Sequence, residues 1–134
     1  MVPSNVHLVR AAYEAFAAGD MAPLVDLLDD DVEWIEPDGA PGVGGTYHGR
    51  ESVLGEMFAR LPSVWDDFRV APTTYVDGGE HVLVLGDLSA HDPLSGMPAH
   101  APFAHVWRLQ AGKAVWWRCY EDTALLHEAR RREA

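Results

Sequence analysis

Four consecutive β-strands are predicted by the stretch 65-WDDFRVAPTTYVDGGEHVLVLGDLSAHDPLSGMPAHAPFAHVWRLQAGKAVWWRCYE-121. Apolar and β-branched residues dominate four runs, near 65–76, 80–91, 99–110 and 113–121. The turns that separate them are 77-DGG-79, 92-DPLSG-96 and 111-AGK-113. Because connections this short join neighbouring strands, the stretch predicts a meander.

Helical periodicity dominates the residues before this stretch. Residues 5–18 place Val6, Val9, Tyr13 and Phe16 on one stripe, and Gly19 ends that helix. The other predicted elements are a short helix after Asp20 that ends at 29-DDD-31, a strand at 32–36, a loop at 37–45, a helix at about 50–61 closed by Pro62, and a last helix at 123–132. This order predicts an α+β fold, with helices on one face of a curved antiparallel sheet.

Length and charge restrict the possible partners. The chain has 134 residues, which predicts one domain over residues 1–134. Its net charge is −11, and a polyanion such as nucleic acid needs a basic surface that this sequence lacks. The basic cluster 130-RRR-132 is expected to complement the negative end of the last helix.

The cysteine count and the hydropathy pattern bear on location. Cys119 is the one cysteine, which excludes an internal disulfide and is typical of a reducing compartment. The first ten residues, MVPSNVHLVR, lack the apolar stretch of a signal peptide, and no later run has membrane-spanning length. We therefore expect a cytoplasmic protein without a membrane partner. Neither a phosphate-binding glycine loop nor a serine-nucleophile elbow is present, and no cofactor is predicted.

Glu36 is the most informative candidate for catalysis. Alternation along the strand at 32–36 puts Val32, Trp34 and Glu36 on one side. If that side is the inner one, the carboxyl group lies in apolar surroundings, and its pKa rises toward the range useful for proton transfer. The alternative is that Glu36, which precedes Pro37 at the end of the strand, is simply solvated.

The other candidate residues have equally plain alternatives. Tyr13 lies on the apolar stripe of the first helix, where its hydroxyl is either a ligand hydrogen-bond donor or a satisfied core group. Trp116 and Trp117 are adjacent on a strand, so at most one of them lines a pocket. The histidines lack the spacing of a metal site, and no metal is predicted. His105, which alternates with Ala104 and Val106 in a strand, is interpreted as a satisfied structural histidine.

Several segments together resemble the SnoaL-like branch of the nuclear transport factor 2-like superfamily, which is related to ketosteroid isomerase, polyketide cyclases and limonene epoxide hydrolase. These segments are 13-YEAFAAGD-20, 28-LDDDVEWIEP-37, 46-TYHGRESV-53, 102-PFAHVWRLQAGKAV-115 and 120-YEDT-123. The resemblance implies a cone-shaped, strongly bent sheet, three N-terminal helices that cover it, and a deep internal pocket. It also implies a homodimer packed through the outer surface of the sheet.

The resemblance assigns residues only in part. Glu36-Pro37 matches the general base of the isomerases, whereas Ala104 stands at the place of their acidic oxyanion donor and Ala12, beside Tyr13, at the place of their tyrosine. One match of the last strand points Trp117, Cys119 and Glu121 inward. The hydrolase-like match, which we prefer, points Tyr120 and Asp122 inward.

Two functions remain open from the sequence. The first is a cofactor-independent isomerase, cyclase, dehydratase or hydrolase that acts on a small apolar, ring-containing or polyketide-like molecule. The second is a non-catalytic ligand-binding or dimeric interaction domain. The predicted catalytic residues are Glu36, Asp122, Tyr13 and Tyr120, and the predicted substrate contacts are Trp34, Phe58, Trp65, Ala104, Val106 and Arg118.

Overall fold

The computed structural model describes residues 3–131 and contains five α-helices, one π-helical segment and six β-strands. The helices are α1 (Asn5–Ala17), α2 (Ala22–Leu27), α3 (Arg50–Ser52), α4 (Ala59–Val64) and α5 (Thr123–Arg131), with the π-helical segment Val53–Phe58 joining α3 to α4. The strands are β1 (Leu28–Glu36), β2 (Gly45–His48), β3 (Asp66–Gly78), β4 (His81–His91), β5 (Pro98–Gln110) and β6 (Lys113–Glu121).

One six-stranded sheet organises the chain, with the strand order β2-β1-β6-β5-β4-β3. The four late strands form the predicted meander, and β2 pairs antiparallel with β1. The pair of β1 and β6 is the exception, because these two strands run parallel. The predicted α+β fold with a curved sheet and N-terminal helices is confirmed, whereas the sheet, expected to be antiparallel, contains this one parallel pair.

Helix α1 covers the inner face of the sheet with the predicted stripe. Ser4 caps its N-terminus by accepting a hydrogen bond from the amide of His7. Val9 and Ala12 are buried, while Tyr13 and Phe16 are half-buried at the edge of the stripe. Gly19, with φ at 82°, turns the chain at the C-terminal end, which is the left-handed conformation that glycine favours.

Three sequence-based boundaries need correction. The second predicted helix does not extend through Leu28, because β1 begins there and 29-DDD-31 lies in the strand. Strand β2 was missed, since its four residues follow a run of glycines. Pro62 does not close the third helical segment, which continues to Val64 with the proline inside α4. In the basic cluster, Arg132 lies outside the described residues.

The loop between β1 and β2 is an ordered wall rather than a free connection. Its carbonyl oxygens at Gly39, Gly42 and Val43 bond to side chains of α5, α4 and β2, through His127 (2.6 Å), Arg60 (3.2 Å) and Tyr47 (2.8 Å) respectively. Ala40 and Val43 are buried as a result. The loop thereby closes one side of the space between helices and sheet. Within residues 3–131, no helix has the length and apolar character needed to cross a membrane.

Candidate active site

A cavity of about 90 Å³ lies between the inner face of the sheet, helix α1, the π-helical segment and the loop after β1. Its walls are mainly aromatic and aliphatic side chains. Five titratable side chains interrupt this apolar lining: Tyr13, Glu36, His105, Cys119 and Glu121. Polar groups this few in an apolar cleft are typical of a small-molecule site.

Glu36 ends β1 on its buried face, beside Trp34 on the same side of the strand. Its side chain accepts a hydrogen bond from Nε1 of Trp34 at 3.0 Å, and the residue is 7% exposed. Burial raises the pKa of Glu36 to about 8, although the Trp34 hydrogen bond opposes the shift and the charge of Glu121 adds to it. Glu36 is therefore largely protonated at neutral pH.

Glu36 belongs to a cluster with Cys119 and Glu121, whose ligand atoms all lie within 4.8 Å of one another. The thiol of Cys119 donates to Oε1 of Glu121 at 3.1 Å. Burial raises the pKa of Glu121 and that of the Cys119 thiol. Two carboxyl groups this close in apolar surroundings do not both ionise readily, so the pair retains a proton.

The same cluster is the arrangement among residues 3–131 that could hold a metal ion. Metal ligation requires a deprotonated thiol and ionised carboxylates. The raised pKa values favour the protonated forms instead. A cation that bound to this cluster would therefore have to displace protons from it.

A second polar group occupies another part of the cavity wall. The hydroxyl oxygen of Tyr13 lies 2.6 Å from Nδ1 of His105 and accepts a hydrogen bond from Nε1 of Trp107 at 2.9 Å. Burial lowers the pKa of His105 to about 3 and raises that of Tyr13. Both side chains are therefore neutral at neutral pH, and they act through hydrogen bonds rather than charge.

Stacked aromatic rings connect the two polar groups. The indoles of Trp34 and Trp117 are nearly parallel, with 3.7 Å between ring centroids and 15° between planes. Phe58 packs edge-on against Trp34, at 5.5 Å between centroids. Such flat, rigid walls suit a ring-containing molecule.

Of the predicted catalytic residues, Glu36 and Tyr13 line the cavity, and so do the predicted substrate contacts Trp34, Phe58 and Trp65. Trp117 is buried and lines the cavity, while Trp116 is half-buried on the other side of β6, in agreement with the expectation that at most one of the two lines a pocket.

The preferred inner face of the last strand is wrong. Tyr120 is 49% exposed on the outer face, whereas Trp117, Cys119 and Glu121 point inward. The reason is an irregularity in the register, where Arg108 pairs with Trp116 but Leu109 pairs with Ala114. The extra residue, Val115, reverses the alternation in the second half of the strand. Asp122 is exposed and caps α5 by accepting the amide of Leu125 at 3.3 Å.

Three predicted substrate contacts also lie away from the cavity. Ala104 and Val106 alternate with the buried residues Phe103, His105 and Trp107, and therefore point to the outer face of β5. The alternation that buries Phe103, His105 and Trp107 leaves the residues between them on the outer face. Arg118 is exposed and stacks over Tyr120, with its guanidinium carbon 5.0 Å from the ring centroid.

Sequence reasoning did not assign a role in the site to His105, Cys119 or Glu121. His105 was interpreted as a satisfied structural histidine, and its contact with Tyr13 agrees with that interpretation as far as Nδ1 is concerned. The alternative match of the last strand did point Cys119 and Glu121 inward. In the sequence, the large apolar residues Phe103, Trp107 and Leu109 share one face of this strand. That alternation would have placed His105 on the same, buried face.

Comparison with known proteins gives the family. The family model of the SnoaL-like domain matches residues 9–117. A search of the curated proteins found no match. Among solved structures, an NTF2-like protein of Burkholderia thailandensis E264 has a TM-score of 0.91 and 29% identity, over 96% of this chain and 98% of that chain.

Two further solved structures are similar over nearly the whole chain. An NTF2-like protein of unknown function from Burkholderia pseudomallei K96243 has a TM-score of 0.87 and 34% identity, over 96% of this chain and 98% of that one. TerC, co-crystallised with polyporic acid, has a TM-score of 0.84 and 31% identity, over 93% and 96%. The predicted resemblance is confirmed: the chain belongs to the SnoaL-like family and has the NTF2-like fold.

Proposed function

We propose that the protein is a cofactor-independent enzyme in which Glu36 transfers a proton to or from a small, apolar, ring-containing or polyketide-like substrate in the cavity. The observation that carries the proposal is a carboxyl group that is buried among aromatic rings and has no cationic partner among the residues whose side chains the structure describes. Arg50 pairs with Asp30 at 2.7 Å and Arg118 stacks over Tyr120, so neither of these arginines neutralises Glu36. A structural carboxylate would normally have been paired.

The pKa of Glu36 suits acid–base chemistry near neutral pH. With a pKa of about 8, Glu36 is mainly a proton donor at pH 7, and its ionised fraction serves as a base. Glu121 is close enough to hold the proton while Glu36 is ionised. Isomerisation, cyclisation, dehydration and epoxide hydrolysis each need such a proton transfer in a site with little water.

The lining and the charge support a neutral apolar substrate. The cavity offers aromatic faces and few polar groups, and the net charge of the chain is −11. Both features disfavour a strongly anionic ligand. A small-molecule site also agrees with TerC, the relative at 31% identity that was co-crystallised with polyporic acid.

Replacing Glu36 by Gln tests the catalytic role, because the amide keeps the size of the side chain and cannot exchange protons as an acid or base. Cyclic ketones and enones would be screened for deuterium uptake in D₂O, and cyclic epoxides for diol formation. For any compound that is turned over, Glu36→Gln should lower the rate by about 10²–10⁴-fold.

Glu33→Gln is the matched control, because Glu33 lies on the same strand and points to the opposite face. This control should leave the rate unchanged. Unaltered turnover in Glu36→Gln would end the assignment of Glu36. If no compound is turned over although ligands bind in the cavity, the non-catalytic binding domain becomes the better explanation.

We also infer a homodimer that packs through the outer face of the sheet. Leu85, Ala104 and Tyr120 form one row across β4, β5 and β6, and Leu85 and Tyr120 are 38% and 49% exposed. Val106 and the half-buried Trp116 extend this apolar surface. A second copy of the chain would cover these side chains. The single, buried Cys119 remains our reason to place the protein in the cytoplasm.

A further inference from the structure

Tyr13 determines which ring nitrogen of His105 carries the proton. The indole N–H of Trp107 donates to the hydroxyl oxygen of Tyr13, so the hydroxyl proton needs a different acceptor. Nδ1 of His105, at 2.6 Å, is the acceptor that the described residues provide. A neutral imidazole that accepts at Nδ1 carries its proton on Nε2. Burial keeps the ring neutral, since it lowers the pKa of His105 to about 3.

The Nε2–H group of His105 is an unpaired donor that opens into the cavity. His105 is 8% exposed and lines the cavity, and within residues 3–131 only its Nδ1 has a hydrogen-bond partner. Among the described residues, the polar side-chain atom that is fully buried and has no hydrogen-bond partner is Nε1 of Trp117, not Nε2 of His105. The ring of Trp117 lies 4.7 Å from that of His105, so the two side chains pack side by side in this wall.

The strand register places this wall at a defined position relative to Glu36. His105 pairs with Cys119 across β5 and β6. Ile35 pairs with Arg118 across β1 and β6, so the next position puts Glu36 beside Cys119. Neighbouring strands are about 4.8 Å apart, and the backbones of Glu36 and His105 are therefore about 10 Å apart with Cys119 between them. A ring lying over Cys119 reaches both side chains.

We propose that Nε2–H of His105 donates a hydrogen bond to a neutral carbonyl oxygen of the substrate, and that the cavity thereby selects ring compounds that carry a ketone about one ring away from Glu36. Tyr13 and Trp107 are positioning residues that hold His105 in the donor tautomer. The inference rests on the proposed function in taking the cavity as the substrate site, but it does not require that Glu36 react.

A neutral oxygen fits this wall better than a charged one. A neutral imidazole offers one hydrogen bond and no net charge, while Glu121 lies on the neighbouring strand β6 and Glu36 on β1, the strand beyond it. An anionic oxygen would be repelled by any ionised fraction of these carboxyl groups. A ligand without an oxygen would leave the N–H of His105 buried and unpaired, which costs binding affinity.

The test compares acetophenone with α-methylstyrene, which has the same shape but carries a methylene group in place of the carbonyl oxygen. We expect the wild-type protein to bind acetophenone about 5- to 10-fold more tightly, the effect of one neutral hydrogen bond. In ¹⁵N-histidine-labelled protein, the unligated state should show His105 protonated at Nε2. Acetophenone, and not α-methylstyrene, should shift that resonance.

Variants separate the hydrogen bond from the shape of the site. His105→Leu should bind both probes with equal affinity, whereas His105→Gln, which keeps an N–H donor, should retain most of the preference for acetophenone. Tyr13→Phe should keep the fold and convert His105 to a mixture of tautomers. Equal affinity of the two probes in the wild-type protein, protonation at Nδ1, or no shift of His105 with either probe would each overturn the proposal.

The outcome is independent of the test of Glu36. Glu36→Gln should keep the ratio of the affinities for acetophenone and α-methylstyrene, because both probes meet the same substitution and the proposed donor, His105, is unchanged. If that variant keeps the preference for acetophenone and no turnover depends on Glu36, the inference holds and the proposed function fails. If turnover depends on Glu36 but the two probes bind equally, the inference fails and the proposed function holds.

Discussion

Glu36 and His105 are uncharged at neutral pH for the same physical reason, which is the loss of water around their side chains. Desolvation favours the neutral form of either group, so it raises the pKa of an acid and lowers that of a base. The pKa of Glu36 is accordingly about 8 and that of His105 about 3. A carboxylic acid and an imidazole are thus both available as neutral hydrogen-bond donors in one cavity.

These two shifts predict how stability depends on pH. Between pH 4.5 and 8 the folded state keeps a proton on Glu36 that the unfolded chain releases, so the free energy of unfolding falls by about 1.4 kcal/mol per pH unit. Between pH 3 and 6.5 the unfolded chain binds a proton at His105 that the folded state does not, so the free energy rises. The opposing slopes predict a plateau between about pH 4.5 and 6.5.

Urea denaturation at several pH values checks this prediction. Between pH 6.5 and 8, the free energy of unfolding of the wild-type protein should fall by about 2 kcal/mol because of Glu36. The Glu36→Gln variant should lack this fall. Glu33→Gln, altered on the opposite face of the same strand, should decline as the wild-type protein does. Parallel pH profiles of wild type and Glu36→Gln would show that Glu36 has an ordinary pKa, and the acid–base proposal would lose its physical basis.

At the scale of single elements, Gly86 lies where β3 and β4 approach too closely for a side chain. A Cβ atom at this position would contact the carbonyl oxygen of Ala71 and would lie 2.8 Å from Cα of Pro72 and 2.9 Å from Phe103. The register of β3 shifts between Pro72 and Thr74, at this same place. The glycine therefore permits the local bend of the sheet over the cavity.

Gly86→Ala should lower the free energy of unfolding by about 1–3 kcal/mol, because backbone atoms of β3 cannot move aside easily. Gly55→Ala is the matched control, since Gly55 is exposed in the π-helical segment and a Cβ there meets nothing within 4 Å. The control should be neutral or slightly stabilising. Equal free energies of unfolding for the two variants would contradict the close approach of β3 and β4.

The elements that depend on local pattern could be predicted from the sequence. The apolar stripe of α1 and the alternation of the late strands gave their positions to within a few residues. Strand β2 and the parallel pairing of β1 with β6 were not predicted, because they depend on contacts between distant segments. The predicted inner face of β6 was wrong because it followed the hydrolase-like match, whereas the bulge at Val115 leaves Trp117, Cys119 and Glu121 pointing inward.

At the scale of the whole molecule, the same distinction explains what was found of the site. Glu36 was identified because its own strand shows which face it shares with Trp34. The contact of Tyr13 with His105 joins residues 92 positions apart, and that of Trp107 with Tyr13 joins residues 94 positions apart. No local pattern contains such contacts. Cys119 and Glu121 reach Glu36 only because β6 lies beside β1 in the sheet.

The outer face of the sheet leads to a prediction about assembly. A homodimer through this face buries the row formed by Leu85, Ala104 and Tyr120. Leu85→Lys would place a charge in that interface, and an unpaired buried charge is costly. The variant should therefore sediment at the 14.7 kDa mass of a single chain at micromolar concentration, whereas the wild-type protein should sediment at twice that mass.

Leu94→Lys is the control, because Leu94 is 96% exposed in the turn between β4 and β5 and should not affect assembly. If the wild-type protein is a monomer, or if Leu85→Lys is still a dimer, the outer face is not the dimer interface. The exposure of Tyr120 would then need a different explanation.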